Sequence, residues 1–446
     1  MFRNTAMMDL IHELWFLKRD IVSDDYDRAL YRLAEEVPMT IHEYPTGESC
    51  WTWIVPEKWT CHEAYLETMD GNRLIDYANH PLHVVSYSLP FEGVVSREEL
   101  FNHLHVSSLW HDAIPFMFKY YQRDWGLCCS KDLRDTLTDE TYRVVIRTTF
   151  EAGNLKVGEV VLPGESDETF MFAAHLCHPA MASDDLSGVI VGIDVMRKLA
   201  LQTQKRHYTY RFVIVPETVG SVAYLSHNED LIPKMSAGLF LESLGLSSPH
   251  ALQHSFVGTE INKDLQVDSC IETALRGIDG HCFVGPYRSI AKNDEAQFNA
   301  PGVRVPMLCL SRAWPNQPPS GPFFYGYHTS HDTPANASQE NLEISRDVTL
   351  QLIDAWEKNQ YVVNHFKGEV FCSRYGIWVD YRVNPEGWRL LFRIMEYCDG
   401  EHTVADIAVA LNTTFQAVWG VVSQLESKGL VSFSRVPKPT DPHFQS

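Results

Sequence analysis

The stretch that most restricts what this chain can fold into is residues 172–188, FAAHLCHPAMASDDLSG. The apolar run 170–174 ahead of His175 predicts a strand buried on both faces, as in a parallel or mixed sheet. His175, Cys177 and His178 stand at its end, Asp184 and Asp185 follow, and Leu186-Ser187-Gly188 opens an apolar helix over 189–199. Imidazoles therefore sit at the carboxyl end of a strand and carboxylates at the entrance to the next helix. In open α/β sheets that rim is where ligands bind. The mixture suits zinc, which takes both donor types at tetrahedral sites. A polar loop with a capping Asp is the plainer reading of the same residues.

A chain of 446 residues exceeds one ordinary core, so two or three domains are expected. Lys and Arg number 37 against 58 Asp and Glu, a net charge of −21, which gives no general attraction to nucleic acid or an anionic membrane. The ten cysteines form no CxxC pair. Asp9, His12 and Glu13 break the opening stretch, which reads as an amphipathic helix and not as a signal peptide. There is no long apolar span. A cytoplasmic protein with reduced thiols is the expectation.

Along the chain, residues 6–36 have helical spacing and predict two helices joined near Ser23-Asp24. Segments 51–55, 64–67, 83–88 and 91–95 read as strands, with an Asp70-Gly71 turn between the second and third. They make a small β-rich unit, 55–125, inserted into the main domain. Next come strands at 142–150 and 157–162, expected to pair, then strands at 208–216, 237–242 and 305–311 and a helix at 219–227. A long helix over 343–365 carries Leu352, Ile353, Trp356 and Val362-Val363. Strands alternating with helices indicate a largely parallel sheet flanked by helices. The tail reads as helices at 388–398, 404–411 and 415–428 and a strand at 430–434, a winged helix. The expected domains are 1–54 with 126–374, the insert 55–125, and 375–446.

Further polar groups sit where strands should end: Glu217 after YRFVIVP, Glu242 after AGLFL, Asn293-Asp294-Glu295 before Phe298, and the segment from Tyr327-His328 to Asp332. Each alone fits a cap or a solvated charge. Their order resembles the zinc aminopeptidases of metallopeptidase clan MH, the group that also holds glutaminyl cyclases. Still more similar is a subgroup of bacterial proteins that joins an aminopeptidase-like domain, an inserted β unit and a C-terminal winged helix. Its HLCHP, PETxGSxAYL and YHTSxD motifs stand here at 175–179, 216–225 and 327–332.

The resemblance implies metal ligands at His175, Asp184, Glu242 and His328, with Asp184 shared between two positions. It implies Glu217 as general base toward metal-activated water. Tyr325 or Tyr327 would steady the oxyanion, and Asp294 would meet a substrate amine. Three departures stand out. Cys177 replaces an Asp that orients the first His, a loss that typically costs roughly 10–100-fold in metal affinity or activity. Thr218 replaces a metal-binding Glu, and a hydroxyl is a poor zinc ligand. His178 has no general counterpart. One zinc per chain is therefore expected, bound through Asp184 with His175 and either Glu242 or His328; two ions, or recruitment of Cys177 as a thiolate ligand, are the alternatives.

The function expected is zinc-dependent hydrolysis of an amide bond in a small aminoacyl or peptidyl conjugate. The alternative is a catalytically weak binding protein whose winged helix is a docking module for a partner or a second copy of the chain. A DNA-binding regulator fails on charge: over 388–435 there are four Lys and Arg against five Asp and Glu.

Overall fold

The computed structural model describes residues 3–203, 205–262, 266–313 and 323–439; residues 1–2 and 440–446, at the ends of the expected first and last domains, lie outside the described residues. The chain forms two compact units, Met1–Gln253 with Gly285–Arg346, and His254–Val284 with Asp347–Ser446.

The first unit is built on an eight-stranded mixed sheet. Its order is Thr40–Pro45, Asn154–Leu162, Thr209–Val215, Thr169–His175, Met235–Glu242, Met307–Ser311, Ala251–Gln253 and Phe283–Gly285, the last being where the chain re-enters this unit. Thr169–His175 pairs in parallel with both neighbours, and Met235–Glu242 in parallel with Met307–Ser311. The pairs outside this centre that join Thr40–Pro45, Asn154–Leu162 and Thr209–Val215, and Ala251–Gln253 with Met307–Ser311, are antiparallel. Every residue of Thr169–His175 is buried, as the uninterrupted apolar run requires of a strand covered on both faces.

The expected pairing of 142–150 with 157–162 does not occur. Thr141–Glu151 instead joins Lys58–Glu67, Arg73–Asp76 and Phe91–Ser96 in a separate four-stranded antiparallel sheet. The burial patterns give the reason. Residues 141–149 largely alternate, as for a strand with one wet face, whereas 155–160 are buried in succession and need cover on both sides. The Asp70-Gly71 turn is present between Glu67 and Arg73. Two predicted strands are not regular. Segment 83–88 starts in a 3-10 turn, Pro81–His83, and makes isolated bridges only. Segment 51–55 splits into Ser49–Cys50 paired with Trp53–Ile54.

The long helix ends earlier than its sequence spacing predicts, as Gln339–Lys358. Val362-Val363 lies in a strand, Tyr361–Asn364, which suits β-branched residues. In the second unit that strand is central in a three-stranded antiparallel sheet, between Asp399–Thr403 and Val431–Ser434. The helices Pro385–Glu396, Val404–Ala410 and Phe415–Ser427 follow the predicted order. Thr403 and Asp406 form a capping box at the middle one. Among the described residues, no helix is long and apolar enough to cross a membrane.

Candidate metal centre

The carboxyl ends of the parallel strands converge on one site. His175 closes its strand, Glu242 closes Met235–Glu242, and Glu217 comes two residues after Thr209–Val215. Asp185 binds these ends together. Its Oδ2 accepts the His175 backbone N–H at 3.3 Å, and its Oδ1 accepts those of Ser243 at 2.9 Å and Gly188 at 3.2 Å. Gly188 has to be glycine: a Cβ there would lie 2.4 Å from the Leu241 carbonyl oxygen. Asp332 accepts the N–H groups of Ser183 and Asp184, each at 2.9 Å, and so sets the turn that presents Asp184. The loop carrying Cys177 and His178 is clamped by buried Arg19, whose guanidinium donates to the carbonyls of Leu14, Leu176, His178 and Met181.

These supports bring His175, His178, Asp184, Glu242 and His328 together. His175 Nε2 stands 3.1 Å from Asp184 Oδ1 and 3.7 Å from Glu242 Oε2. His328 Nε2 stands 3.0 Å from Asp184 Oδ2. His178 Nδ1 faces His175 Nδ1 at 3.1 Å, and its Nε2 is 3.6 Å from Glu217 Oε2. Three donor sets result, each with its ligand atoms within 4.8 Å of one another: His175 with Asp184 and Glu242, His178 with Asp184 and His328, and His175 with Cys177 and His178. A metal ion fits this chemistry. The carboxylates are buried, and Asp184 Oδ2 has no hydrogen-bond donor aligned on it, a cost that a cation would relieve.

Electrostatics divide the groups into roles. Burial alone would lower the His175 pKa, but hydrogen bonding to Asp184, Cys177 and Glu242 raises it well above the ordinary value. Burial holds His178 well below it and keeps that ring neutral. The imidazoles around Asp184 overcome its burial and keep its carboxyl well below the usual range. Glu217 is half-buried, and loss of hydration pushes its carboxyl up to about 7.

The remaining candidates occupy supporting positions. Asp294 is buried; its Oδ1 accepts the Thr218 N–H at 2.8 Å and the Ser221 hydroxyl, which fixes the turn after Glu217. Thr218, Ser243 and His328 all have positive φ, at 62°, 53° and 56°. Strained backbone of that kind gathers at functional sites. The Tyr327 ring stacks on His328, with centroids 3.9 Å apart, while Tyr325 is largely exposed and stacks on His331. Cys177 Sγ accepts the Glu217 backbone N–H at 3.0 Å. Phe116, from the β-rich region, packs its ring 4.9 Å from His178 and donates its N–H to the His328 carbonyl at 2.8 Å. Sequence reasoning gives no sign of Phe116 or Arg19, because neither stands at the end of a predicted strand or in the motifs that carry the resemblance.

The family described as "Domain of unknown function (DUF4910)" matches residues 8–359. A Clostridium acetobutylicum protein, provisionally named for polysaccharide biosynthesis with an aminopeptidase-like domain, is 30% identical over 417 residues, 92% of each chain. A crystal structure from the same organism, provisionally described as a peptidase, superposes with a TM-score of 0.84 at 28% identity over 96% of each chain. The zinc aminopeptidase BSAP of Bacillus subtilis superposes with a TM-score of 0.57 at 13% identity, over 79% of this chain and 95% of that one, a likeness of fold.

Proposed function

The chain belongs to the DUF4910 family, and with its aminopeptidase-like fold as premise we propose that it is a zinc-dependent hydrolase that cleaves an amide bond in a small aminoacyl or peptidyl conjugate. The ion would be held by His175, Asp184 and Glu242, with His328 on the second oxygen of Asp184. Zinc at such a site supplies Lewis acidity and lowers the pKa of water.

The observation that carries the reading is Glu217. It is a carboxylate at the rim of the cluster that belongs to none of the three donor sets. Its pKa of about 7 suits a general base, which works best near the operating pH. In this reading Glu217 takes a proton from the attacking water and returns it to the leaving amine. Asp294 holds the Glu217 turn through Thr218 and Ser221. Tyr327, stacked on His328, borders the reacting carbonyl and steadies its developing charge.

The name of the Clostridium relative favours a conjugate from polysaccharide biosynthesis over a free peptide as substrate. Ten cysteines, none in a disulfide, favour a reducing compartment such as the cytoplasm. Residues 375–446 are read as a winged helix that docks a protein partner or a second copy of the chain.

The test is Glu217→Gln assayed on a panel of aminoacyl anilides. Zinc content should match the parent, and turnover should fall by at least roughly 100-fold, the scale of general acid–base catalysis. Undiminished turnover by the zinc-loaded variant would remove Glu217 from the mechanism.

A further inference from the structure

We infer that His178 is a positioning residue and not a metal ligand: it accepts the Nδ1 proton of His175 and thereby aims the His175 Nε2 lone pair at the metal, the task left open by Cys177. The inference rests on the zinc reading above.

The argument is one of proton count. The two Nδ1 atoms face each other at 3.1 Å, a separation that holds one hydrogen and not two. His175 Nε2 is the atom on the side of Asp184 and Glu242. If His175 ligates there, Nε2 is bare and Nδ1 carries the hydrogen. His178 Nδ1 must then be the acceptor, and the hydrogen of this neutral ring lies on Nε2. Neither nitrogen of His178 is left to bind an ion. Its Nε2–H points toward Glu217 Oε2, 3.6 Å away, a separation at which it attracts the ionised base without consuming it.

Two features place His178 for this work. Arg19 fixes the His178 backbone through its carbonyl at 2.8 Å. Phe116 packs edge-on against the ring and limits its rotation. Cys177 is a weak substitute for the missing carboxylate: its thiol also meets the His175 ring, but sulfur is a poorer acceptor than an imidazole nitrogen and already accepts the Glu217 N–H at 3.0 Å. Of the three donor sets, the tautomers retain the one made of His175, Asp184 and Glu242. A metal-bound imidazole ordinarily donates its second N–H to a carboxylate or carbonyl. Here the acceptor is another imidazole.

The experiment compares the full-length parent with His178→Leu and His178→Asn. It measures zinc ions per chain at saturation and zinc affinity by chelator competition. An asparagine Oδ1 lies about where imidazole Nδ1 does and accepts a hydrogen bond, but an amide is a poor zinc ligand. The Leu variant should bind zinc roughly 10–100-fold more weakly with the ion count unchanged. The Asn variant should recover most of that affinity, a rescue that a purely structural role would not produce. A lower ion count in both variants would make His178 a ligand and overturn the inference. So would unaltered affinity in the Leu variant, with zinc binding itself intact. A parent chain that takes up no zinc would bring down the hydrolase reading along with it. Because Leu could disturb folding, the zinc-loaded parent is also examined by ¹⁵N-histidine NMR, the Asn variant identifying the His178 signals by their loss: parent His178 should show bare Nδ1 and protonated Nε2, and the opposite tautomer refutes the assignment.

Discussion

A carboxylate inside a sheet persists when its partners outweigh its lost hydration, and Glu159 has three such partners. It accepts from Arg211 Nη1 at 2.6 Å, Tyr224 Oη at 2.6 Å and His42 Nε2 at 2.9 Å. Burial would raise its pKa, but these donors hold it at about 2. Tyr224 lies on the helix that follows Glu217, so this network also steadies the backbone behind the proposed base. The folded pKa lies below the ordinary value of 4.5, so the stabilisation is present above that pH and is lost as pH falls toward about 2. The shift corresponds to about 3 kcal/mol, with little screening because the side chain is 8% exposed. Glu159→Gln should therefore lower the unfolding free energy at neutral pH by about 2–3 kcal/mol. Urea melts should show a constant deficit down to about pH 5 and a narrowing one below it. A deficit that stays constant to pH 3 would mean that the charge is not its source.

At the scale of elements, the loop over 176–181 has no regular hydrogen-bonding ladder, and one arginine takes over that task. Arg19 is 0% exposed, and burial lowers its pKa only to about 10, so it stays charged. Arg19→Met would strand the carbonyls of Leu176, His178 and Met181 and should cost at least about 3 kcal/mol, seen as a lower denaturation midpoint. Arg19→Lys keeps the charge but has no planar fork, and should recover less than half of that loss. Equal stability of all three proteins would show that the loop holds its shape unaided. Arg19 also marks where the sequence stops being informative. His175, Glu217 and Glu242 are legible because each ends or follows an apolar run, and period and burial fix which end of a strand is which. Arg19 meets its carbonyls across 157, 159 and 162 residues, and a backbone acceptor has no side-chain signature. The same limit explains the pairing of 154–162. Sequence adjacency to Thr141–Glu151 suggests a hairpin, and only two-sided burial, a property of the assembled sheet, decides against it.

At the scale of the whole molecule, the second unit has helices in an order that invites comparison with DNA-binding domains, so its charge has to decide. Duplex binding depends on Lys and Arg that neutralise phosphates, and a protein making 6–10 such contacts loses about 10³–10⁵ in affinity between 50 and 200 mM salt. The helix that would enter a groove is Phe415–Ser427. Its exposed positions are Gln416, Gly420, Gln424, Glu426 and Ser427, which offer no cation and one carboxylate. Lys428 beyond its end is the nearest positive charge in sequence. The chain as a whole carries −21, which repels a polyanion at long range. Exposed apolar groups are present instead, with Phe371, Trp378, Tyr381 and Val383 each at least half exposed. A surface of that kind suits contact with protein better than with phosphate. The full-length chain should therefore show no binding to random duplex DNA at micromolar concentration in low salt, measured by fluorescence anisotropy. A signal that weakens steeply as salt is added would reverse this reading and make the tail a nucleic-acid module.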